Sequence, residues 1–402
     1  MNRSRQDATP IIAAGLTYWS GWVEQLNRVP TPAFLGKHDL IRHTAKMAVK
    51  IRETRQAATE LVLLTFPLIE ASGHWPEWVS LLETLTSHFD DINQELRPIV
   101  LNRLGQLYRM DRRFSEAVAM HHDAFELAVQ LAIEGFMQGV ILYQLAADYC
   151  LLQRFDLAKE YILRAMQFVT HGPRSDMHLG MSSYIRSQIE LAAGDVAEAT
   201  VWLEKSIEVL QRINQPVELA RAYTGYGQIL MAQGQFDKAI DAYQKSLLEL
   251  ERASSPPEVA LAKYNIGCGY MNLEQFEQAE AVFREAAVFM RQQIWIPLIW
   301  QVQNTHNLGH VIVKQGRFSE AEAFLRESEA MWMQMGDELG LANCWDSLAE
   351  ALCKQGRLEE GCRLYRKALA LLAKYPDNPQ AQAMVAEFSQ PYAAFNCEEL
   401  VD

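Results

Sequence analysis

The stretch PVELARAYTGYGQILMAQGQFDKAIDAYQKSL, residues 216–247, decides the fold of this chain. From Leu219 onward its apolar residues fall at i, i+4, i+7 and i+11, which is the spacing of one face of an amphipathic helix. Gly234 then supplies a residue that accepts a positive φ and so ends that helix. Helical spacing starts again at Phe236, so the stretch predicts two antiparallel helices joined by a tight turn.

The phrase at this turn recurs about every 40 residues along most of the chain. Successive copies lie 41, 41, 40, 40, 42 and 40 residues apart, and a weaker copy, Gly73-His74-Trp75…Trp78, precedes them by 39. Internal periods of this length indicate about eight stacked units, because one helical hairpin cannot bury its apolar face alone. The seven clear copies are Arg113-Phe114…Ala117, Arg154-Phe155…Ala158, Gly194-Asp195-Val196…Ala199, Gly234-Gln235-Phe236…Ala239, Gln275-Phe276…Ala279, Gly316-Arg317-Phe318…Ala321 and Gly356-Arg357-Leu358…Gly361.

The first helix of each unit resembles helix A of the tetratricopeptide repeat family, whose signature is an aromatic residue, two spacers, Leu-Gly, two spacers and Tyr. The second helix carries that family's Phe…Ala phrase. The resemblance covers about residues 57–375, although Thr65-Phe66 and Arg186-Ser187 replace the Leu-Gly pair in two repeats. Copies of the helix A signature are Leu101…Leu104-Gly105…Tyr108, Leu142…Leu145-Ala146…Tyr149, Tyr223…Tyr226-Gly227…Leu230, Ile266-Gly267…Tyr270, Leu308-Gly309…Ile312 and Trp345…Leu348-Ala349…Leu352.

The long period is similar to that of repeats in bacterial signalling proteins, where they often follow a signal-transduction ATPase or a DNA-binding domain. Neither domain is recognisable in this sequence. The resemblance implies an all-α fold, a right-handed superhelical solenoid of about eight helix-turn-helix repeats with a capping helix at each end. We expect an N-terminal helical cap in residues 1–56, the repeat array in 57–376, and a C-terminal capping helix with an acidic tail in 377–402.

A basic stripe distinguishes the N-terminal cap, which carries nine Lys or Arg and four Asp or Glu in residues 1–55. Its first helix begins at Thr9-Pro10, and its second begins near His38-Asp39. Such a stripe is typical of a solvated helix face. The alternative is electrostatic docking onto an anionic partner or a second copy of the chain, which added salt would weaken. The positive residues recur every four positions on the second helix as His38, Arg42, Lys46 and Lys50.

Composition restricts the partners and the compartment. The chain holds 37 Lys and Arg against 50 Asp and Glu, a net charge of −13, which disfavours a nucleic-acid partner because phosphates require a positive surface. Six cysteines without a Cys-x-x-Cys pair indicate small core residues in a reducing compartment. No apolar run predicts a membrane span, and residues 11–22 lack the cleavage site of a signal peptide. We therefore expect a cytoplasmic protein.

The sequence contains no recognisable enzyme motif. We find no P-loop, nucleophile elbow, zincin helix, paired-cysteine ligand set or dinucleotide fingerprint. His306 and His310 lie at i, i+4 on one helix face and suit a metal, but no third ligand can be identified. The simpler interpretation is a pair of polar groove residues. We expect no catalysis, no cofactor and no metal site.

The family resemblance implies that a protein or peptide ligand binds along a concave groove lined by the A helices. Tyrosines offer rigid contact area there, and amides can pair with an extended backbone. For Tyr143, Tyr184 and Tyr264 the alternative is packing between neighbouring A helices. The groove-facing positions hold Asn102, Gln106, Arg109, Tyr143, Tyr184, Gln188, Arg221, Thr224, Gln228, Tyr264, Met271, Gln303, His306, His310, Asn343, Asp346 and Glu350.

Four classes of function follow from these observations. The first is a non-catalytic scaffold or regulatory module that binds a protein or peptide in the groove. The second is a sensor in which a peptide or small ligand controls a partner protein. A third is a structural scaffold that self-associates through its ends, for which Trp295, Trp300 and Trp332 are candidates, although core packing is the preferred interpretation of these tryptophans. An enzyme has the least support, because no constellation forms a site. We expect a monomer or a weak homo-oligomer, with no membrane partner.

Overall fold

The computed structural model describes residues 8–26, 31–72, 75–168, 173–253, 256–292, 296 and 298–398. In these ranges the chain consists of α-helices joined by short turns and 3-10 segments, without a β-strand. The predicted all-α fold of helix-turn-helix units is confirmed. None of the described helices is both long and apolar enough to cross a bilayer. Contacts divide the chain into two compact units. The first unit holds residues 1–229 and 248–255, and the second holds 230–247 and 256–402. The predicted domain boundaries stay a prediction.

The first unit is built from the N-terminal helices and three complete hairpins, in which α6 pairs with α7, α8 with α9, and α10 with α11. The N-terminal helix α1 buries Leu16 and Val23 in a cluster that includes Phe34, Ile41 and Phe66. The helices are α1 (Thr9–Glu24), α2 (Pro32–Leu35), α3 (His38–Ala48), α4 (Arg55–Ser72), α5 (Trp75–Thr86), α6 (Arg97–Met110), α7 (Phe114–Gln130), α8 (Gly135–Leu151), α9 (Phe155–Met166), α10 (Pro173–Ala192), α11 (Val196–Arg212) and, as far as Ile229, α12 (Pro216–Ala232).

The second unit contains residues 236–247 of α13 and three further hairpins, α14 with α15, α16 with α17 and α18 with α19. The predicted C-terminal capping helix is α20, which packs Met384 and Phe388 against Leu372 on α19. Residues 399–402 of the predicted acidic tail lie outside the described residues. The helices are α13 (Phe236–Ala253), α14 (Pro256–Asn272), α15 (Phe276–Gln292), α16 (Leu298–Lys314), α17 (Phe318–Met335), α18 (Glu338–Lys354), α19 (Leu358–Leu372) and α20 (Pro379–Ala394).

The recurring phrase is a turn that ends helix A. The residue two positions before its large apolar residue has a positive φ in all seven clear copies. In each copy the next N–H donates to a carbonyl five residues earlier; Arg113 N, for example, lies 2.8 Å from the Tyr108 carbonyl oxygen. This is the Schellman motif, which satisfies carbonyls at a helix C-terminus. The weak copy at Gly73-His74 falls outside the described residues. The positive-φ residues are Arg112, Gln153, Gly194, Gly234, Glu274, Gly316 and Gly356.

Close packing inside the hairpins depends on a small A-helix residue that faces a large B-helix residue. A Cβ added to Gly309 would lie 2.7 Å from Leu325, so only glycine allows this approach. Where Arg186-Ser187 departs from the Leu-Gly pattern, α10 continues and Ser187 is buried, because serine is also small. The large B-helix residues lie seven positions after the apolar residue of the turn, and all are buried: His121, Ile162, Leu203, Tyr243, Phe283, Leu325 and Tyr365.

A disulfide corrects the expectation that all six cysteines are free core residues. Cys362 on α19 and Cys397, just after α20, form a disulfide that spans 35 residues. Cys344 and Cys353 are free and buried, as expected, whereas Cys150 and Cys268 are free and half-buried. The sequence could not reveal the pair, because it forms only when α20 folds back along α19. With this disulfide, the cysteines no longer favour a reducing compartment.

Candidate functional site

A cavity of about 780 Å³ opens among the A helices of the first unit. Its walls come mainly from α6, α8, α10 and α12. Of the groove residues predicted in this unit, Asn102 is buried, and neither Thr224 nor Gln228 belongs to the lining. The structure brings the other six to this one cavity: Gln106, Arg109, Tyr143, Tyr184, Gln188 and Arg221.

Most of the residues that line the cavity were not predicted from the sequence. Part of the lining was detectable, because Met177, Met181, Tyr184 and Gln188 fall at i, i+4, i+7 and i+11 on one face of α10. Glu70 carries no such signal, since it reaches the cavity from α4, outside the helices that supply the other walls. The additional lining residues are Glu70, Arg103, Gln144, Ala147, Cys150, Leu151, Gln153, Phe155, Met177, Met181, Ile185, Ala192 and Glu218.

Tyr143 and Tyr184 supply aromatic surface to the cavity. Both are half-buried, and burial raises the pKa of both phenols, so each is a neutral hydrogen-bonding group at physiological pH. The Tyr143 ring centroid lies 5.9 Å from that of His178. The Tyr184 ring lies 3.4 Å from the position that a Cβ on Gly225 would occupy. Each tyrosine therefore packs within the unit and also borders the cavity.

A charged network holds Arg109 at the wall of the cavity. Its Nη1 lies 3.1 Å from Oδ1 of Asp148 and 3.4 Å from the Gln144 carbonyl oxygen, and its Nη2 donates to the Gln144 side-chain oxygen. The carboxylate of Asp148 is fully buried, and its Oδ2 lies 2.5 Å from Nδ1 of His121. Nε2 of His121 lies 3.1 Å from the Asn102 carbonyl oxygen. Both ring nitrogens of His121 therefore lie within hydrogen-bonding distance of an oxygen atom.

The cavity lining carries more positive than negative charge. Three arginines, Arg103, Arg109 and Arg221, border it together with two glutamates, Glu70 and Glu218. Arg103 also lines a neighbouring cavity of about 580 Å³ that is bounded by α1 and α4. The excess of positive charge contrasts with the net charge of −13 of the whole chain.

In the second unit, predicted groove residues of α16 and α18 contact other side chains of the neighbouring A helix. Nε2 of His306 and Nδ1 of His310 lie 3.3 and 3.1 Å from Oγ of Ser347. Nζ of Lys314 donates to Glu350 over 2.9 Å. These contacts join neighbouring A helices, which is the packing expected of a repeat array.

The remaining predicted residues of this unit show different environments. Nδ2 of Asn307 lies 3.2 Å from the hydroxyl of Tyr264, whose ring packs near Phe283, so Tyr264 contributes to packing. Asn343 is exposed. The other residues, Met271, Gln303 and Asp346, are half-buried.

Burial lowers the pKa of His306 to about 3 and that of His310 to about 4, so both rings are neutral at physiological pH. Among the described residues, two clusters bring three metal-ligating side chains together, and neither contains these histidines. One is Cys353, Cys362 and Cys397, of which two form the disulfide. The other is His38, Asp39 and Glu77, which the Arg42 guanidinium contacts at 2.7 Å from Asp39 and 3.2 Å from Glu77. The Arg42 guanidinium therefore competes with a metal ion for the carboxylates of Asp39 and Glu77.

The predicted basic stripe is only partly exposed. His38 is buried, and Arg42 pairs with Asp39 and Glu77. Lys46 and Lys50 are exposed, but the placement of Lys50 on the helix was wrong, because α3 ends at Ala48. The positive surface is thus smaller than the predicted stripe, and its role in docking stays a prediction.

The tryptophans proposed for self-association differ in exposure. Trp332 is buried, with its ring 2.5 Å from the position that a Cβ on Gly340 would occupy, so it is a core residue. Trp300 is half-buried. Trp295 lies outside the described residues. Self-association therefore stays a prediction.

Two family models, both described as tetratricopeptide repeat, match the chain. One matches residues 182–247 and 218–292, which include α11 to α15. The other matches residues 100–132 and 341–374, which fall on the α6–α7 and α18–α19 hairpins. A comparison with curated proteins finds no significant match.

Several solved structures share this fold. A signal transduction ATPase with numerous domains (STAND) protein with a tetratricopeptide repeat sensor, from Pyrococcus horikoshii, is 15% identical, with a TM-score of 0.65 over 95% of this chain. This chain spans 55% of the length of that protein. The apo form of the quorum sensor NprR from B. thuringiensis is 16% identical, with a TM-score of 0.54 over 91% of this chain and 100% of its own. A Rap protein complexed with Competence and Sporulation Factor is 14% identical, with a TM-score of 0.51 over 85% of this chain and 99% of its own.

At these identities the solved structures establish a shared fold alone. The similarity to tetratricopeptide repeats comes from the matched segments themselves. Each matched segment falls on helix pairs that the structure describes, and the turn between the paired helices repeats the same backbone motif. The chain therefore contains tetratricopeptide repeats in residues 100–132, 182–292 and 341–374.

Proposed function

We propose that this chain binds a peptide, or a short extended segment of a protein, in the cavity of the first unit and catalyses no reaction itself. The observation that carries the proposal is the convergence of six predicted groove residues on one cavity. Its volume of about 780 Å³ lies within the range typical of ligand sites. Both matching family models describe repeats, and neither describes an enzyme.

The chemistry of the lining suits an extended peptide. Tyr143 and Tyr184 offer rigid surface with a polar tip, which binds side chains at a low cost in conformational entropy. Nε2 of Gln188 is buried without a hydrogen-bond partner and can donate to a peptide carbonyl, whereas Oε1 of Gln106 already accepts a hydrogen bond from Arg103. The methionines Met177 and Met181 add apolar surface that adapts to different side chains.

Two tyrosine substitutions test this proposal. The low-molecular-mass peptide fraction of the host lysate is incubated with the full chain, and retained peptides are identified by mass spectrometry. We expect Tyr143→Ala with Tyr184→Ala to lose the peptides that the unmodified chain retains, while melting stays cooperative by circular dichroism. Tyr264→Ala is the matched control, since it removes the same side chain in the second unit.

Equal retention by the double tyrosine variant and the unmodified chain would place the site elsewhere and contradict the proposal. If the double variant fails to melt cooperatively, Tyr143→Phe with Tyr184→Phe removes only the hydroxyl groups. The Phe variant should fold and bind peptides more weakly, because the hydrogen bonds at the tips of the rings are lost.

A sensor is the second candidate function. Two of the similar solved structures are named as a sensor-bearing STAND protein and a quorum sensor, which favours a regulatory role. In this case the ligand controls a partner protein, and a bound peptide should change which proteins the chain captures from lysate. Identical captured proteins with and without the retained peptide would leave the chain as a simple binding module. A cytoplasmic location stays a prediction.

A further inference from the structure

A charged network occupies three positions that are apolar in the other repeats. Counted from the large apolar residue of each turn, the position of Arg109 holds Cys, Leu, Met or Val in the other six clear copies. The position of His121 holds Ile, Leu, Phe or Tyr, and that of Asp148 holds Leu, Ile, Val, Ala or Gly. The sequence thus replaces three core residues by ionisable ones in a single region of the array.

Asp148 contacts both Arg109 and His121, and the repeat pattern does not require an ionisable residue at any of these three positions. Asp148 joins Arg109 at 3.1 Å to His121 at 2.5 Å, and both Asp148 and His121 are fully buried. A buried ion pair is often no more stabilising than well-packed apolar residues of similar volume. Local exceptions to a folding pattern that bring no evident gain in stability are typical of functional sites.

The contacts within the network do not use all the N–H donors of Arg109. Its contacts with Gln144 and Asp148 involve Nη1 and Nη2. The Nε–H takes no part in these contacts, and the side chain is 19% exposed and borders the cavity. A guanidinium can bind a carboxylate through two parallel hydrogen bonds donated by its Nε–H and an Nη–H.

We propose that Arg109 binds a carboxylate of the peptide ligand, and that Asp148 and His121 are positioning residues that fix its guanidinium at the cavity wall. The inference rests on the proposed function of the same cavity and names the ligand group that it recognises. The charge of the lining favours binding of a negatively charged group, since its three arginines outnumber its two glutamates. The carboxylate is either the C-terminus of the peptide or an Asp or Glu side chain.

The probe is a pool of short peptides of random sequence, prepared once with a free C-terminus and once as C-terminal amides. The full chain is incubated with each pool, and retained peptides are sequenced by mass spectrometry. Retention from the free-acid pool alone identifies the terminal carboxylate. Enrichment of Asp or Glu in both pools identifies a side-chain carboxylate. Either result supports the proposal.

Variants then separate ligand recognition from folding. In Arg109→Met, His121→Leu, Asp148→Ile the network is replaced by residues that the other repeats carry at the same positions, so the triple variant should fold. We expect the dissociation constant of a selected peptide to rise about tenfold or more in this variant, as is typical when a charged hydrogen bond is lost. Arg109→Lys keeps the charge and should lose less. Arg212→Met is the matched control, because Arg212 lies on α11 outside the cavity.

The outcomes distinguish this inference from the proposed function. Retained peptides without a carboxylate preference, or unchanged affinity in the folded triple variant, would overturn the role of Arg109 while the cavity remains a peptide site. Retention of no peptide by the unmodified chain would overturn both. Asp148→Asn supplies a further readout: a weaker affinity than the unmodified chain, with unchanged melting, assigns Asp148 to positioning rather than to stability.

Discussion

At the scale of single residues, Asp346 on α18 is in an unfavourable environment. Its Oδ1 is buried without a hydrogen-bond partner. Burial, with the nearby carboxylates of Glu387 and Glu350, raises its pKa to about 7, against a small opposing effect of Lys314. The hydroxyl of Tyr365, also buried and without a partner, lies in the same electrostatic environment. The native state therefore favours the protonated acid.

The direction of this pKa shift predicts how stability depends on pH. Below the ordinary pKa of 3.8 the carboxyl is protonated in both states and carries no penalty. As the pH rises towards 7 the unfolded chain ionises first, so the native state loses stability, and above 7 the loss is constant. We expect Asp346→Asn to raise the free energy of unfolding by about 1–3 kcal/mol at pH values near 8, and by much less near pH 4.

Urea denaturation at several pH values measures this effect. Asp241→Asn is the control, since Asp241 is exposed on α13. A gain in stability that does not change with pH would mean that Asp346 is not the titrating group.

At the scale of secondary-structure elements, the turns that join helix A to helix B share one backbone conformation although their sequences differ. Four of the seven positive-φ positions hold glycine, whereas Arg112, Gln153 and Glu274 adopt the same conformation with φ values of 61°, 58° and 57°. A side chain raises the energy of this conformation, because Cβ approaches the backbone carbonyl. The three non-glycine turns should therefore be less favourable than the others.

We expect Glu274→Gly to raise the free energy of unfolding by about 1 kcal/mol, because glycine accepts a positive φ without that contact. Glu274 is exposed, so the substitution removes little packing. The converse variant, Gly356→Ala, should lower stability by a similar amount. Urea denaturation followed by circular dichroism compares the two, with Glu274→Ala as the control for loss of the carboxylate. A destabilised Glu274→Gly variant would contradict the prediction.

The disulfide is the other feature at this scale. It links α19 to the segment that follows α20 and closes a loop of 35 residues. Cross-links of this kind restrict the unfolded chain, so Cys397→Ser should lower the free energy of unfolding by about 2–4 kcal/mol.

Denaturation with and without a thiol reductant checks that value. Reduction should bring the unmodified chain to the stability of Cys397→Ser and leave the variant unchanged. Cys150→Ser, which alters a free cysteine, serves as the control. If reductant affects Cys397→Ser as strongly as the unmodified chain, the disulfide is not the source of the difference.

At the scale of the whole molecule, stability resides in separate clusters rather than in one core. The first unit contains the cluster around Phe66 and Trp78, and the second contains the cluster around Phe283 and Leu325. In repeat proteins stability is a sum of repeat terms and nearest-neighbour terms. We therefore expect unfolding to depart from a two-state transition.

Hydrogen exchange with mass spectrometry measures this property in two variants. A Cβ on Gly105 would lie 2.6 Å from His121 in the first unit, and a Cβ on Gly309 would lie 2.7 Å from Leu325 in the second. Each Gly→Ala change should cost about 1–3 kcal/mol locally and speed exchange chiefly in its own unit. Gly21→Ala is the control, because nothing lies within 4 Å of the added Cβ. Equal acceleration across the whole chain would show a single cooperative structure.

The sequence by itself determined the helices, their pairing and the turns between them. Leu219 to Leu230 predicts helix A, and Gly234 predicts its end, because helical spacing and a positive φ are local properties of the chain. The family resemblance predicted Tyr143, Tyr184 and Gln188 as groove-facing residues, and all three line the cavity. Each of these predictions depends only on residues within one repeat or its copy.

Only the tertiary structure decided which side chains share a site and how each is charged or paired. Glu70 reaches the cavity from α4, Asp148 joins Arg109 to His121, and Cys397 pairs with Cys362. These contacts join residues that are tens of positions apart, and no local spacing encodes them. Burial, hydrogen bonding and ion pairing depend on the neighbours that folding supplies, so the repeat pattern predicted the helices but not the chemistry of the cavity.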